Sequence, residues 1–199
     1  WAAPIYKQTL DDYRALDNIL APIVTRRSGT EMRLELIGGG VIEFWSLDKP
    51  DSIRGKRYNR FIVNEAGFVS NLLDVRNYII TPTLIDFQGD DYYAGTPKGY
   101  NGFFSLYNNQ ADDWARWQKS SYSNPFIPAS ELDSLKTLMP ERAFQQEIMA
   151  QFMEDGGGVF RRVREASTLQ PMERGVDGRQ YVIGVDWGRS NDATVFCVL

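Results

Sequence analysis

Apolar and polar residues alternate on both sides of three consecutive glycines in residues 32–46, MRLELIGGGVIEFWS. A period of two places alternate side chains on opposite faces of an extended strand. The glycines Gly38, Gly39 and Gly40 permit the positive φ angles that a tight turn needs. The pattern therefore predicts a β-hairpin.

A helical spacing precedes this hairpin, in residues 7–20. The apolar residues with that spacing are Leu10, Tyr13, Leu16, Ile19 and Leu20. They predict an amphipathic helix. We expect a short strand at residues 2–5 before the helix and a turn at residues 22–29 after it.

Two strand and helix pairs follow the hairpin. Residues 60–67, RFIVNEAG, predict a strand, and an apolar face predicts a helix from about residue 70 to residue 79. Residues 90–99, DDYYAGTPKG, predict a short strand with a Gly-Thr-Pro-Lys-Gly loop, and residues 102–109 begin another helix. Alternation of strands and helices indicates an α/β fold with a parallel sheet.

The following part of the chain predicts a strand at residues 114–123, WARWQKSSYS, and a helical subdomain at about residues 125–153. Ser130, with Asp133 three residues later, is typical of a helix N-cap, and Pro140 favours the first position of a second helix.

Periodicity is lost and glycine becomes frequent in residues 156–179, so we expect a linker there between a domain at residues 1–155 and another at residues 180–199. In the second domain, YVIGVDWG and DATVFCVL predict the two strands of a hairpin.

Composition limits the available chemistry. The formal net charge of −4 argues against a chain that coats nucleic acid, so any DNA contact would rest on a local patch or on several chains. The absence of histidine excludes a Ser-His-Asp triad and His-ligated zinc. With Cys197 as the single cysteine, no disulfide forms within the chain. Catalysis must use carboxylates, Lys, Arg, hydroxyls or a metal held by oxygen.

The sequence contains no apolar run near the roughly 20 residues that cross a bilayer, and its first residues lack the features of a signal peptide. The chain starts with Trp1 instead of Met and stops at Leu199 within a predicted strand. We expect both ends to be cut from a longer protein.

The apolar run FIV ends in a polar pair, Asn64 and Glu65. At the tip of a parallel sheet, such a pair suits a nucleotide hydrolase, in which the first residue holds Mg²⁺ through water and the Glu polarises the attacking water. At a second predicted strand tip, Thr96 is placed to sense a γ-phosphate, and Arg54 lies in an upstream loop. Taken singly, each motif fits a solvated loop or turn better than a catalytic site.

In sequence order, five stretches together resemble the large terminase subunit of tailed bacteriophages. They are WAAPIYKQ, IEFWSLDKPDSIRGKRYNRFIVNEAGF, YYAGTPKGYNGFFSLY, SSYSNPFIP with ERAFQQEIMAQFMEDGGGVF, and YVIGVDWGRSNDATVF. The resemblance covers nearly the whole chain. It implies the latter part of a RecA-like P-loop ATPase domain in residues 1–155 and the first β-hairpin of an RNase H-like nuclease domain in residues 180–199.

The resemblance also implies roles for individual residues. Glu65 is similar to the catalytic Glu of the Walker B strand, and Thr96 lies in the motif that couples hydrolysis to movement. Arg54, in an Arg-Gly loop, is a candidate arginine finger for a neighbouring subunit's nucleotide. Asn64 stands where most members carry Asp, so we expect it to orient a water on Mg²⁺ with lower metal affinity. ATP and Mg²⁺ are the expected cofactors.

The sequence contains no G-x-x-x-x-G-K-[ST] phosphate loop, since Gly55 and Lys56 are followed by Arg57. In the family, that loop lies just upstream of the segment that resembles WAAPIYKQ. Without the backbone cradle and its Lys, we expect this polypeptide alone neither to bind nor to hydrolyse ATP appreciably.

Asp186, in IGVDWG, is the second catalytic candidate. In RNase H-like nucleases, an acid on the first strand bridges two Mg²⁺ or Mn²⁺ ions, and later strands supply further carboxylates. Asp192 is either a supporting metal ligand or a turn residue. The motif also resembles the phosphate motif of the actin and sugar-kinase superfamily, but the ATPase-like half favours the terminase. We expect no DNA cleavage by this chain alone.

The resemblance implies that the full-length protein moves double-stranded DNA into a capsid and cuts the concatemer. The expected partners are the portal protein, a small terminase subunit and further copies in a ring, a pentamer in the family. The expected location is the host cytoplasm, with docking on the procapsid and no membrane contact. Two alternatives are a helicase-type ATPase without nuclease activity and a non-catalytic assembly module; the gene sequence on either side distinguishes them.

Two surface features are open to two interpretations each. Trp114, Trp117 and Tyr122 fit core packing better than base stacking. The basic cluster RRVR, residues 161–164, fits either DNA phosphates or a solvated linker.

Overall fold

A parallel sheet forms the centre of the computed structural model, which describes residues 1–154, 174–188 and 194–198. The chain divides into two compact units, and the first contains this sheet. The strands of this sheet are β1 (Ala2–Ala3), β5 (Trp45–Ser46), β6 (Arg60–Val63) and β7 (Asp90–Tyr93). Their order in the sheet is β5-β1-β6-β7, and all of them are parallel. The predicted α/β architecture is confirmed.

Six α-helices are described, all in the first unit. They are α1 (Tyr6–Ile19), α2 (Leu72–Val75), α3 (Thr81–Leu84), α4 (Gly102–Tyr107), α5 (Ala129–Leu138) and α6 (Glu141–Glu147). Short 3₁₀ turns occupy Ala21–Ile23, Pro50–Ile53, Ala66–Phe68, Ile85–Phe87 and Ser121–Ser123. In the described part of the chain, no helix is long and apolar enough to cross a membrane.

The main core lies where β6 packs against the helical segment that follows it. Phe61 and Val63 alternate along β6 and are buried, as expected for one face of a strand. They share a cluster with Ile53, which precedes the strand, and Ile80, from the helical segment. Burial on this face fixes the strand's register and so determines which residues reach its carboxyl end.

The helical segment after β6 continues beyond the predicted end at residue 79. Between α2 and α3 it contains a π-helical turn, Arg76–Ile80. Pro82 follows within α3 and lacks the N–H that would bond to the Tyr78 carbonyl in an α-helix. The Arg54 guanidinium donates to that carbonyl instead, at 3.0 Å.

The predicted glycine hairpin is confirmed, and it belongs to a three-stranded antiparallel sheet. The strands are β2 (Val24–Ser28), β3 (Arg33–Leu36) and β4 (Val41–Glu43). The predicted turn at residues 22–29 is therefore wrong for most of its length. Because β2 is an edge strand with exposed Thr and Arg side chains, its sequence shows no alternation, and pairing with β3 decides its conformation.

Helix α1 is amphipathic as predicted, and Leu10, Tyr13 and Leu16 of its predicted apolar face pack in the core cluster beside the second sheet. Tyr13 is buried edge-to-face against Phe44, with ring centroids 5.2 Å apart. Ile19, predicted to face the core, is 71% exposed. Thr9 is buried instead and donates to the Trp45 carbonyl at 3.0 Å, which ties the helix to the parallel sheet.

The predicted strand at residues 114–123 is wrong, because these residues form irregular chain before a 3₁₀ turn. Trp114 packs against the core, stacking on Tyr93 with ring centroids 6.3 Å apart. Trp117 is 72% exposed and Tyr122 is exposed, so core packing holds for Trp114 alone among these three aromatic residues.

The predicted first residues of helices α5 and α6 are also wrong. Helix α5 begins at Ala129 after Pro128, and no side chain caps it, so Ser130 is not the N-cap. Asp133 accepts a hydrogen bond from the Tyr122 hydroxyl at 2.7 Å instead. Pro140 immediately precedes α6, rather than occupying its first position.

The second unit contains the predicted hairpin of β8 (Ile183–Asp186) and β9 (Val195–Val198), which pair antiparallel. Asp192 and the basic cluster at residues 161–164 lie outside the described residues. The expected boundaries at residues 155 and 180 stay predictions.

Candidate functional site

Glu65 lies at the carboxyl end of β6 in a left-handed backbone conformation, with φ 53° and ψ 40°. A residue other than glycine adopts this conformation at a cost of about 1 to 3 kcal/mol, and such residues concentrate at functional sites. The turn that follows is closed by the Phe68 amide, which donates to the Glu65 carbonyl at 2.9 Å. The strand therefore ends abruptly, and the Glu65 carboxylate stands at its tip.

The loop after β7 lies directly against this turn. The Ala94 amide donates to the Val63 carbonyl, and the Ala66 amide donates to the Ala94 carbonyl, both at 2.9 Å. A Cβ atom on Gly95 would come within 2.9 Å of the Glu65 Cα atom. Glycine is therefore required at this position for the two strand tips to meet.

The same close packing places Thr96 beside the turn. A Cβ atom on Gly67 would come within 2.4 Å of the Thr96 carbonyl oxygen. Glu65 and Thr96, which are 31 residues apart in the chain, therefore lie in neighbouring loops at the carboxyl edge of the parallel sheet. That edge is where open α/β sheets bind ligands.

Asn101 holds this arrangement together, and its role was not predicted from the sequence. Its side-chain nitrogen donates to the Gly67 carbonyl at 2.8 Å. Its side-chain oxygen accepts from the amides of Phe103 and Phe104 and so caps α4. The sequence signal was present, because an Asn directly before a predicted helix is a preferred N-cap.

The side chains of Glu65 and Thr96 have no partners in the described structure. Within residues 1–154, neither the Glu65 carboxylate nor the Thr96 hydroxyl makes a hydrogen bond or an ion pair, and both residues are partly exposed. A carboxylate without a partner at a strand tip is free to accept a proton from a water molecule.

Asn64 differs from Glu65 because its amide is held in place. The Asn64 side-chain nitrogen donates to both carboxylate oxygens of Asp12, at 3.0 and 3.1 Å. The Trp1 indole nitrogen donates to the same carboxylate at 2.7 Å. Asp12 was not predicted as a site residue, since no local pattern connects a helix residue to a strand tip 52 positions away.

Arg54 is not brought to the Glu65 turn by any described contact. Its Nε donates to Asp51 at 2.6 Å, and its Nη1 donates to the Tyr78 carbonyl at 3.0 Å. Its side chain is still 56% exposed. It is accessible from outside the chain, as a residue that acts on a neighbouring subunit must be.

Asp186 is the last residue of β8 and is exposed. Among the described residues, no group of three or more acidic, His or Cys side chains could hold a metal ion. Oxygen ligands for Mg²⁺ are nevertheless present at the tip of β6, in the Asn64 amide and the Glu65 carboxylate. These two residues fit a metal that is held mainly by water and phosphate oxygens.

Comparison with known proteins identifies the family. The model of the large terminase subunit, T4-like-virus type, N-terminal, matches residues 13–167, which is more than half of the chain. The chain belongs to this large terminase family. Two curated relatives are the large terminase subunits of Thermus phage G20c, 27% identical over 182 residues, and of Escherichia phage T5, 21% identical over 183 residues.

Solved structures of large terminases share the fold. The large terminase ATPase domain of Thermus phage P74-26 is 19% identical with a TM-score of 0.58, covering 76% of this chain and 75% of that one. A large terminase from a thermophilic bacteriophage in complex with ADP is 14% identical with a TM-score of 0.64, covering 99% of this chain and 50% of that one.

The chain is much shorter than its curated relatives. The match covers 77% of this chain but 36% of the Thermus phage G20c subunit, and 87% of this chain but 42% of the Escherichia phage T5 subunit. Activities and partners of a whole terminase subunit therefore extend beyond what these residues contain.

Proposed function

We propose that this chain is part of the ATPase of a viral DNA-packaging motor, with Glu65 as the general base. One observation carries the proposal. The Glu65 carboxylate is held in a left-handed turn, makes no hydrogen bond or ion pair within residues 1–154, and stands beside the Thr96 loop at the carboxyl edge of a parallel sheet. The family membership and the ADP complex of a related terminase agree with nucleotide hydrolysis.

In this mechanism, Glu65 accepts a proton from the water that attacks the γ-phosphate. Thr96 contacts the phosphate end of the nucleotide, and its loop transmits the change on hydrolysis, because it is packed against the same turn. Asn64 would help to hold Mg²⁺ at this site through its amide oxygen, by way of a water molecule. The metal, when bound, neutralises charge on the phosphate oxygens.

We infer that the strand leading to the phosphate loop of the full-length protein pairs with the open edge of β7. In the described sheet, β7 pairs with β6 on one side alone. A cleft of about 990 Å³ is lined by β7 and by residues between Asn109 and Trp117. Unpaired strand edges accept a further strand. A strand paired there would end at the same edge as Glu65 and Thr96.

Residues of the second unit support a nuclease role. Asp186 ends β8 in an antiparallel hairpin whose apolar residues, including Ile183, Trp187 and Phe196, are largely exposed. A two-stranded hairpin is marginally stable alone, so we propose that it packs into a larger domain of the full-length protein. There Asp186, with Asp192 as a candidate supporting ligand, would hold the Mg²⁺ or Mn²⁺ of an endonuclease.

The proposed partners follow from the family. They are double-stranded DNA, a portal protein, a small terminase subunit and further copies of the same subunit in a ring. Arg54 is then proposed to reach the nucleotide of the neighbouring copy. The proposed place of action is the host cytoplasm, with docking on the procapsid.

The decisive experiment is ATP hydrolysis by the full-length protein with Glu65→Gln. We expect kcat to fall at least about 100-fold, as for loss of a general base, while nucleotide binding is retained. The matched control is Glu31→Gln, since Glu31 is exposed in the turn before β3. An unchanged kcat in Glu65→Gln would refute the role of Glu65.

The nuclease role is tested separately. Asp186→Asn in the full-length protein should abolish Mn²⁺-dependent DNA cleavage and leave ATP hydrolysis unchanged. Persistent cleavage by this variant would remove Asp186 from the nuclease site.

A further inference from the structure

We propose that Asp12 is a positioning residue of the ATPase site, which supplies from helix α1 the negative charge that Asn64 lacks and turns the Asn64 amide oxygen towards the metal. The proposal rests on the function proposed above. It concerns a residue that lies on another element of the fold and outside any sequence motif.

The contact between the two residues determines the orientation of the amide. An ionised carboxylate accepts hydrogen bonds and cannot donate them. Because both Asp12 oxygens lie within 3.1 Å of the same Asn64 atom, that atom must be the NH₂ nitrogen. The amide oxygen of Asn64 then points to the opposite side, away from α1.

Asp12 is itself fixed. The Trp1 indole donates to one of its oxygens at 2.7 Å, and the Trp1 and Asn64 side chains are both partly buried. Asn64 is anchored through its backbone, since its amide donates to the Ala2 carbonyl at 2.8 Å. The Asn64 side chain is therefore constrained from both ends, which is the requirement for a precisely placed ligand.

The carboxylate also changes the electrostatics of the amide. Charge-assisted hydrogen bonds are stronger than neutral ones, and a donor that is polarised by an anion makes its own acceptor end more negative. A neutral amide that is hydrogen-bonded to a carboxylate thus presents a more basic oxygen than an isolated amide does. Such outer-shell partners typically change metal affinity about 10-fold to 100-fold.

Helix α1 has other attachments besides this contact. Helix α1 is already attached through Thr9, which donates to the Trp45 carbonyl, and through Tyr13, which packs on Phe44. The adjacent Asp11 makes an ion pair with Arg14 at 3.9 Å in solvent, so it has the same charge on the same helix without the Asn64 contact. Asp11 is therefore a matched control.

The experiment uses the full-length protein and four variants. They are Asp12→Asn, Asn64→Asp, the exchange Asp12→Asn with Asn64→Asp, and the control Asp11→Asn. Two quantities are measured against Mg²⁺ concentration: equilibrium binding of a fluorescent ATP analogue, and the rate of ATP hydrolysis. Melting temperature is measured for every variant to detect loss of folding.

We expect Asp12→Asn to raise the Mg²⁺ concentration needed for half-maximal nucleotide binding about tenfold, with Asp11→Asn unchanged. Asn64→Asp alone should lower the melting temperature, since two carboxylates would face each other within hydrogen-bonding distance. The exchange variant should restore the melting temperature and the Mg²⁺ dependence, because one carboxylate and one amide again share the site.

An unchanged Mg²⁺ dependence in Asp12→Asn would overturn the proposal, as would an exchange variant no better than Asp12→Asn. Failure of the proposed ATPase function would give a different result. In that case the wild-type protein would not hydrolyse ATP, or Glu65→Gln would leave hydrolysis intact.

Discussion

The carbonyl oxygen of Thr96 occupies the space that a side chain on Gly67 would need, at 2.4 Å from the position of its Cβ atom. This packing joins the turn after β6 to the loop after β7. The two loops cannot move independently over short distances, because each fills the space beside the other. A displacement of Thr96 would therefore also shift the turn that contains Glu65.

Gly67→Ala should separate these two loops. The added methyl group cannot fit, so we expect a loss of about 1 to 3 kcal/mol in the free energy of unfolding and a fall in ATP hydrolysis by the full-length protein. Urea unfolding of the chain and steady-state hydrolysis measure the two effects. Gly29→Ala is the control, since a Cβ atom on Gly29 meets nothing within 4 Å. Equal stability of the two variants would contradict the close packing.

Arg54 has a structural contact that must be separated from any role on a neighbouring subunit. Its bond to the Tyr78 carbonyl and its ion pair with Asp51 are largely exposed, so Arg54→Ala should cost no more than about 1 kcal/mol of stability. An arginine finger contributes about 10³-fold to 10⁵-fold in kcat. We therefore expect a large loss of hydrolysis in the assembled protein with little change in unfolding.

The control for Arg54 is Asp51→Ala, which removes the ion pair and leaves the guanidinium free. Hydrolysis should be largely retained in this variant. If Arg54→Ala and Asp51→Ala lose the same small amount of activity, Arg54 serves the fold and not the neighbouring nucleotide.

Two tyrosines make stability sensitive to alkaline pH. Burial, and then the neighbouring Asp91 carboxylate, raise the pKa of Tyr93 above its usual value of about 10. Burial, and then a hydrogen bond to Glu43, raise the pKa of Tyr58 likewise. In both cases the unfolded chain ionises first as the pH rises. The two un-ionised tyrosines make their full contribution to the free energy of unfolding below pH 10. Above pH 10 this contribution is lost progressively, by up to about 1.4 kcal/mol per pH unit for each tyrosine.

Urea unfolding between pH 7 and pH 11 measures this loss of stability at alkaline pH. Tyr93→Phe should reduce the loss of stability above pH 10, whereas Tyr6→Phe, at a position where the side chain is 55% exposed, should not. The same alkaline slope in Tyr93→Phe and the wild-type chain would contradict the expected effect.

Local sequence patterns determined the regular elements whose side chains follow a fixed period. The glycine hairpin, helix α1 and the strand that precedes Glu65 were all predicted, because a strand or helix repeats its exposed and buried positions over short distances. The sequence also predicted that the loops carrying Glu65 and Thr96 lie together at the tips of parallel strands, and the loops pack closely. The joint role of these two residues stays a prediction.

Tertiary structure alone decided the features that depend on contacts between distant residues. Strand β2 forms because β3 pairs with it, and residues 114–123 remain irregular although their pattern is strand-like. The contact of Asp12 with Asn64 and the fit of Thr96 against Gly67 join segments far apart in sequence. A local pattern indicates which face of an element is buried. It does not indicate which atoms of another element will lie against that face, and these contacts determine the geometry of the site.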